Sequence, residues 1–141
     1  MFDCVLLPVD LNHPASWERA LPMAAQCAGD GGTVHVLGIV HDVGAALVAS
    51  FLPEDYETKA LNHMEEALEA FVAEKVPAGT KAAPHVGHGH VPETILKVAK
   101  KLGADLIVMA SHPPDDLRSF LVGSSAEKVV RHAQVPVLVV R

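Results

Sequence analysis

Short runs of consecutive hydrophobic residues alternate along this chain with longer segments in which hydrophobic residues recur every three or four positions. The short runs predict strands that are buried on both faces, and the longer segments predict amphipathic helices. Because Pro84 lies inside the third strand, that strand is expected at an edge of the sheet. The five predicted strands run from Cys4 to Val9, Thr33 to Val40, Lys81 to His88, Asp105 to Ala110 and Val135 to Val140.

Helices are predicted between these strands. The first has Pro14 in its first turn and ends before Gly29, since proline suits the start of a helix and glycine commonly follows its last residue. Further helices are predicted over residues 54–75, 92–102 and 125–132, and a loop or short helical piece over residues 43–53. Strands that alternate with helices predict a doubly wound, five-stranded parallel α/β sheet, formed by residues 1–141 as a single domain.

Composition and charge narrow the class of protein. Half of the 141 residues are hydrophobic, which is enough for a sizeable core. Eleven basic and seventeen acidic residues give a net charge of −6, which argues against binding to nucleic acids and to anionic membranes. Cys4 and Cys27 are expected to be buried free thiols, because two cysteines are too few for a disulfide scaffold. Without a signal peptide or a membrane-spanning apolar run, a cytoplasmic protein is expected.

A candidate ligand site follows from the ends of two predicted strands. In an open parallel sheet, ligands bind beyond the carboxyl ends of the strands, where the strand order reverses. If the first strand neighbours the fourth, Asp10 lies opposite the turn that begins at Ala110. Gly123 and the two serines after it then offer backbone N–H groups, hydroxyl groups and a helix N-terminus to an anion. The alternative is that Ser124 and Glu127 form a capping box, which needs no ligand.

Three parts of the chain resemble the universal stress protein family. LLPVD at Leu6 to Asp10 resembles the first strand of that family, and Gly89 with PETI at Pro92 to Ile95 resembles the entry to its third helix. The segment from Gly103 onward resembles the end of the family's sequence, and its GSSAEKVVRHA is similar to the F and G type branch, whose members bind ATP. The resemblance implies a Rossmann-like sheet, related to the adenine nucleotide alpha hydrolases, with strand order 3-2-1-4-5. It also implies ATP or a related adenine nucleotide, with or without Mg²⁺.

By the same resemblance, ten residues are assigned to the nucleotide site. Asp10 would face the ribose or the phosphates, although an aspartate at a strand end can also simply cap the next turn. Ile39 would offer backbone groups to the edge of the adenine. Two glycines of the family's loop are replaced here by Ala110 and Pro113, and proline has no N–H to donate to a phosphate. The assigned residues are Pro8, Val9, Asp10, Ile39, Ala110, Ser111, His112, Gly123, Ser124 and Ser125.

Three functions remain open on the sequence. The first is an ATP-binding, dimeric regulatory module of the stress response that acts on an unknown protein partner. The second is a nucleotide-free dimer that acts through protein contacts alone, and the third is a slow ATP-hydrolysing enzyme. The sequence shows no poised general base, and no arginine finger beyond Arg118, so hydrolysis is not favoured. A homodimer is expected through the apolar strand from Val135 to Val140, which lies at a sheet edge in this topology.

The other chemical motifs are weak. The GHGH segment at residues 87–90 resembles a dinucleotide-binding fingerprint, but its third glycine is replaced by Pro92. His85, His88 and His90 lie close together in sequence, but no cysteine pair joins them. Solvated histidines are therefore favoured over a zinc site, and neither a resident metal nor a catalytic residue is expected.

Overall fold

The computed structural model describes residues 1–41, 55–111 and 124–141, and five parallel strands form its sheet. Their order is β3-β2-β1-β4-β5, which confirms the doubly wound sheet with strand order 3-2-1-4-5. The first three strands have the predicted bounds, whereas the fourth and fifth begin slightly later than predicted. The strands are β1 (Cys4–Val9), β2 (Thr33–Val40), β3 (Lys81–His88), β4 (Leu106–Ala110) and β5 (Val137–Val140).

The described helices are α1 (Ala20–Ala28), α2 (Tyr56–Lys75), α3 (Val91–Leu102) and α4 (Ser124–His132), with a short 3-10 helix at Pro14–Ser16. The continuous helix predicted from Pro14 to Ala28 is wrong, because the chain first forms the 3-10 turn. Trp17 follows that turn, and its ring packs edge-on against Phe71 with 5.0 Å between the ring centroids. The loop or helical piece predicted over residues 43–53 lies outside the described residues.

Two apolar layers enclose the sheet. In one layer, Val5 and Leu7 of β1 pack with residues of α1 and α2. In the other layer, Leu6 of β1 and Ile107 of β4 pack with residues of α3 and α4. Successive residues of β1 are therefore buried on opposite faces, as the alternation of side chains along a central strand requires. The carboxyl end of β1 consequently lies in the middle of the sheet with helices on both sides.

The two edge strands differ in the backbone groups that they leave open. Gly89 donates its N–H to the carbonyl oxygen of Val40 at 3.0 Å, so odd-numbered residues near the end of β3 face β2. Pro84 therefore faces outward, and its missing N–H removes a donor from the open edge. In β5, even-numbered residues face β4, because the carbonyl oxygens of Pro136 and Val140 accept bonds from β4 and from Ser111. The N–H that Pro136 lacks would have pointed toward β4. Pro136 therefore removes no donor from the outer edge of β5.

Asp105 ties the start of β1 to the start of β4. Its carboxylate accepts hydrogen bonds from the backbone N–H of Asp3 at 2.9 Å and of Cys4 at 3.0 Å. Burial acts to raise the pKa of Asp105, but the backbone N–H groups of Asp3, Cys4 and Asp105 itself outweigh it and lower the pKa below its usual value. The side chain of Asp105 thus anchors the strand ends, and β4 begins at the next residue.

Cys4 and Cys27 are free thiols, but both are half-buried, so the prediction that they are buried is wrong. Cys4 lies at the sheet end, where its Sγ approaches the carbonyl oxygen of Leu102 at 3.7 Å. Burial, and then the carboxylate of Asp105, raise the pKa of the Cys4 thiol. Within the described parts of the chain, no helix is both long and apolar enough to cross a membrane.

Two histidines on neighbouring strands form a hydrogen bond. Nδ1 of His35 on β2 lies 2.7 Å from Nε2 of His85 on β3, so one ring donates a proton to the other. Burial lowers the pKa of His35, and burial, His35 and then Lys101 lower the pKa of His85. If one of the two imidazole rings is protonated, the hydrogen between the facing nitrogens stays in place. If both rings are protonated, each of the facing nitrogens carries a hydrogen.

We expect this pair to make the folded protein less stable in weak acid. Because the folded-state pKa values are lowered, the unfolded chain takes up protons first. The contribution of the two neutral histidines to the free energy of unfolding is complete above about pH 6.5, the ordinary pKa of histidine. It is lost as the pH falls through their lowered pKa values. Urea denaturation between pH 7.5 and 5 should show a flatter profile for the double variant His35→Leu, His85→Leu. The exposed His132→Gln serves as control, and an unaltered profile in the double variant would refute the expectation.

Candidate functional site

A cavity of about 780 Å³ opens at the carboxyl edge of the sheet, between the ends of β1, β2 and β4. This is the strand-order reversal at which open parallel sheets bind ligands, and the volume lies within the common range for ligand pockets. Helices α2, α3 and α4 complete its walls. The residues that line it are Pro8, Val9, Asp10, Leu11, Asn12, Ser16, Ile39, Val40, His41, Ala60, His63, Met64, Ala67, Val91, Ile95, Met109, Ala110, Ser124, Ser125 and Ala126.

Asp10 is held in a tight turn at the end of β1. The buried Ser16 accepts a hydrogen bond from the backbone N–H of Asp10 at 2.8 Å and donates one to its carbonyl oxygen at 3.0 Å. The carboxylate accepts a bond from the backbone N–H of Asn12 at 3.0 Å, and its other oxygen lies 2.9 Å from Nδ1 of His13. The capping role considered for Asp10 is therefore present. The half-exposed carboxylate keeps further lone pairs for a ligand, since each oxygen can accept more than one bond.

Ile39 reaches beyond the last paired residue of β1. The β1–β2 register ends at Val9 and Gly38, so β2 continues past its neighbour. Thr33 donates its N–H to Asp3 at 3.0 Å, which shows that odd-numbered residues of β2 turn their backbone groups toward β1. The carbonyl group of Ile39 therefore points past the end of β1, toward the cavity that its residue lines.

Helix α4 begins at Ser124, directly at the cavity. Ser124 is exposed and Ser125 is half-buried, and both line the cavity wall. Ser124 is the first described residue of α4, and Glu127 lies in the first described turn. Oε1 of Glu127 accepts a bond from Nη2 of Arg131 at 2.9 Å. The capping box of Ser124 with Glu127 stays a prediction, because the residue before Ser124 lies outside the described residues.

One assigned residue does not line the cavity, and two others lie outside the described residues. Ser111 does not line it, and its backbone N–H donates to the carbonyl oxygen of Val140 at 2.8 Å, which extends the β4–β5 pairing. His112 and Gly123 lie outside the described residues, as does Pro113. Seven of the ten assigned residues therefore come together around one space.

A second cavity of about 430 Å³ adjoins the first, with which it shares His41, Val91, Ser124 and Ser125. It lies between the starts of α3 and α4. Its character is more polar than that of the first, because a lysine, a glutamate and two histidines contribute to it. The residues that line it are His41, His90, Val91, Pro92, Glu93, Ser124, Ser125 and Lys128.

Comparison with known proteins identifies the family. Residues 1–141 match the universal stress protein family. Universal stress protein G of Shigella flexneri is 30% identical over 143 residues, with 100% of both chains covered. The chain belongs to the universal stress protein family.

Solved structures of related proteins share this fold. A hypothetical protein solved as a test case of structural genomics superposes with a TM-score of 0.78 at 27% identity, with 99% of this chain and 96% of the other covered. A universal stress protein in complex with cAMP has a TM-score of 0.63 at 18% identity, with coverage of 99% and 97%. The universal stress protein of Archaeoglobus fulgidus in complex with dAMP has a TM-score of 0.59 at 22% identity, with coverage of 100% and 98%.

In this universal stress protein, α2 contributes a wall of the cavity that was not predicted from the sequence. Ala60, His63, Met64 and Ala67 of α2 line the cavity. Their spacing is the same for a helix that packs and for one that partly covers a cavity. One signal was available: Gly38 of β2 lets α2 approach, since a Cβ there would lie 2.7 Å from Sδ of Met64.

The histidines that were considered for zinc have other partners in this family member. His85 pairs with His35, and Nδ1 of His88 lies 3.4 Å from Oε1 of Glu57. His90 precedes α3 and lines the second cavity. Within residues 1–41, 55–111 and 124–141, no three histidine, cysteine or acidic side chains are grouped closely enough to hold a metal ion.

Proposed function

We propose that this universal stress protein binds ATP, or a related adenine nucleotide, as a regulatory ligand. The observation that carries the proposal is the cavity of about 780 Å³ that seven of the assigned nucleotide residues line. Two related proteins of the same fold were solved with cAMP and with dAMP, which supports an adenine nucleotide as the ligand class. Nucleotide occupancy would change the surface around the cavity and so signal to a regulatory protein partner.

The cavity walls suit the parts of a nucleotide. Ile39, Val91 and Ile95 offer apolar surface for the adenine ring, and the carbonyl oxygen of Ile39 can accept a bond from its amino group. The Asp10 carboxylate can accept bonds from ribose hydroxyls. The N-terminus of α4, with the Ser125 hydroxyl, favours the phosphates. Mg²⁺, when bound, would neutralise part of the phosphate charge and be held chiefly by the phosphate oxygens and water.

The proposal is tested by titration of nucleotide-free protein. Freshly purified protein is first denatured, and the released small molecules are identified by mass spectrometry. Refolded or dialysed protein is then titrated calorimetrically with ATP and with GTP, each with and without Mg²⁺. We expect saturable heat with ATP at micromolar to sub-millimolar concentration, and much weaker binding of GTP. Absence of both heat and a melting shift at millimolar ATP would refute nucleotide binding and favour the nucleotide-free alternative.

We also propose a homodimer through the outer edge of β5. All four residues of β5 are half-buried, and its outward N–H and C=O groups belong to Val137 and Val139. Two copies can pair antiparallel about a two-fold axis and so satisfy the same groups on both. This arrangement agrees with the strand from Val135 to Val140 that the sequence suggested as the contact.

We expect the wild-type chain to sediment near twice its mass of 14.9 kDa, and the Val139→Pro variant to sediment as a monomer. Proline at this position removes an outward donor and leaves the inward ladder intact, as edge strands permit. Val139 belongs to neither core layer among the described residues, so the monomer should remain folded. The control is Val130→Ala, because Val130 is exposed on α4 and a proline there would break the helix. A dimeric Val139→Pro variant would place the contact elsewhere.

A further inference from the structure

The two adjoining cavities differ in charge, and the difference bears on how a nucleotide is oriented. Among the described residues of the larger cavity, Asp10 is the one ionisable side chain apart from His41 and His63. A carboxylate repels phosphate groups, so this cavity suits the base and the ribose better than a chain of phosphates. The smaller cavity contains Lys128, and it shares the serines at the start of α4 with the larger one. A phosphate chain that runs from the larger cavity into the smaller one can therefore stay in contact with the start of α4.

Lys128 lines the smaller cavity, where a ligand could meet it. It lies four residues after Ser124, so both side chains stand on the same face of α4. Lys128 is exposed and forms no ion pair with any described residue. The neighbouring Arg131 is already paired with Glu127, at 2.9 Å between Nη2 and Oε1. Among the described residues, Lys128 is thus the cation of α4 that has no ion-pair partner and lies at a cavity wall.

Resting on the nucleotide binding proposed above, we infer that the smaller cavity is a subsite for the terminal phosphates of ATP and that Lys128 distinguishes ATP from AMP. The ammonium group can donate charge-assisted hydrogen bonds to the β- or γ-phosphate, where AMP has no atoms. His41 and His90 on the same wall can add donors. Glu93 lines this cavity as well and opposes the phosphate charge, which sets a limit on affinity.

The test is calorimetric titration of the full chain with ATP and with AMP, in wild-type protein and in three variants. For Lys128→Gln we expect ATP affinity to fall about tenfold, as for loss of a hydrogen bond to a charged group, with AMP affinity unchanged. For Glu93→Gln we expect ATP affinity to rise about threefold, again with AMP unchanged. Lys100→Gln is the matched control, because Lys100 is exposed on α3 and lines neither cavity. Its affinities for both nucleotides should equal those of the wild type.

The outcomes separate this inference from the binding proposal on which it rests. If the wild type binds neither ATP nor AMP, nucleotide binding itself is refuted, and the subsite with it. If the wild type binds both, but Lys128→Gln weakens both equally or neither, nucleotide binding stands and the subsite is wrong. An effect of Lys100→Gln as large as that of Lys128→Gln would show a general charge effect and would also overturn the subsite.

Discussion

The variant Ala110→Phe is expected to lose at least about 99% of its affinity for ATP, or about 2.7 kcal/mol of binding free energy. Ala110 ends β4 and lines the larger cavity between Asp10 and the start of α4. A phenyl ring there would occupy space that the ribose and first phosphate need. Ala110 is half-buried and contacts one core layer as well as the cavity, and we expect the added ring to turn toward the open space of the cavity. Calorimetric titration with ATP measures the loss.

The matched control is Ala73→Phe, which adds the same ring at an exposed position of α2 outside the cavity. Urea denaturation should give both variants nearly the wild-type free energy of unfolding. ATP binding by Ala110→Phe at wild-type affinity, in protein that unfolds normally, would place the nucleotide elsewhere. The nucleotide-free alternative predicts no ATP binding by any of the three proteins, so the wild-type titration separates the two.

The variant Gly32→Ala is expected to lower the free energy of unfolding by about 3 kcal/mol, the upper part of the range for overpacked sites. A Cβ at Gly32 would lie 2.1 Å from the carbonyl oxygen of Phe2 and 2.6 Å from that of Ala28. Both contacts are with backbone, which cannot rotate away as a side chain could. Gly32 also donates its N–H to Ala28 at 3.0 Å, and relief of the contact would break that bond.

Gly31→Ala is the matched control, because a Cβ at Gly31 would meet nothing within 4 Å. Its backbone has no positive φ, so alanine should be neutral or stabilising by about 0.4–1 kcal/mol. Urea denaturation of the wild type and both variants measures the difference. Equal stability of the two variants would show that the chain end near Phe2 moves aside at little cost.

The sequence predicted the strands well where burial on both faces demanded continuous apolar residues. β1, which is buried on both faces, has the predicted bounds, and those of β2 and the edge strand β3 match because turn residues flank both strands closely in sequence. The first helix was predicted too long. The helical spacing of apolar residues from Trp17 onward does not show which side chains form tertiary contacts. The buried hydrogen bonds of Ser16 to Asp10 hold the preceding segment in a separate turn.

The site was only half predictable for a related physical reason. Residues at strand ends, such as Asp10 and Ala110, follow from topology alone, because parallel strands end at the same edge. The positions of residues that approach from helices above the sheet do not follow from topology alone. Met64 and His63 reach the cavity through the packing of α2, and Lys128 reaches the smaller one through the direction of α4. Such placements depend on helix position, which no local pattern specifies.

The unequal edges of the sheet bear on how many copies can assemble. Pro84 withholds a donor from the outer edge of β3, whereas β5 keeps its outward backbone groups available. Strand pairing between copies is therefore favoured at the β5 side of the molecule over the β3 side. Two copies joined along β5 would form a ten-stranded sheet that ends in β3 at both sides. Growth would terminate at that stoichiometry, so the same proline that weakens an edge strand would guard the protein against fibre formation at high concentration.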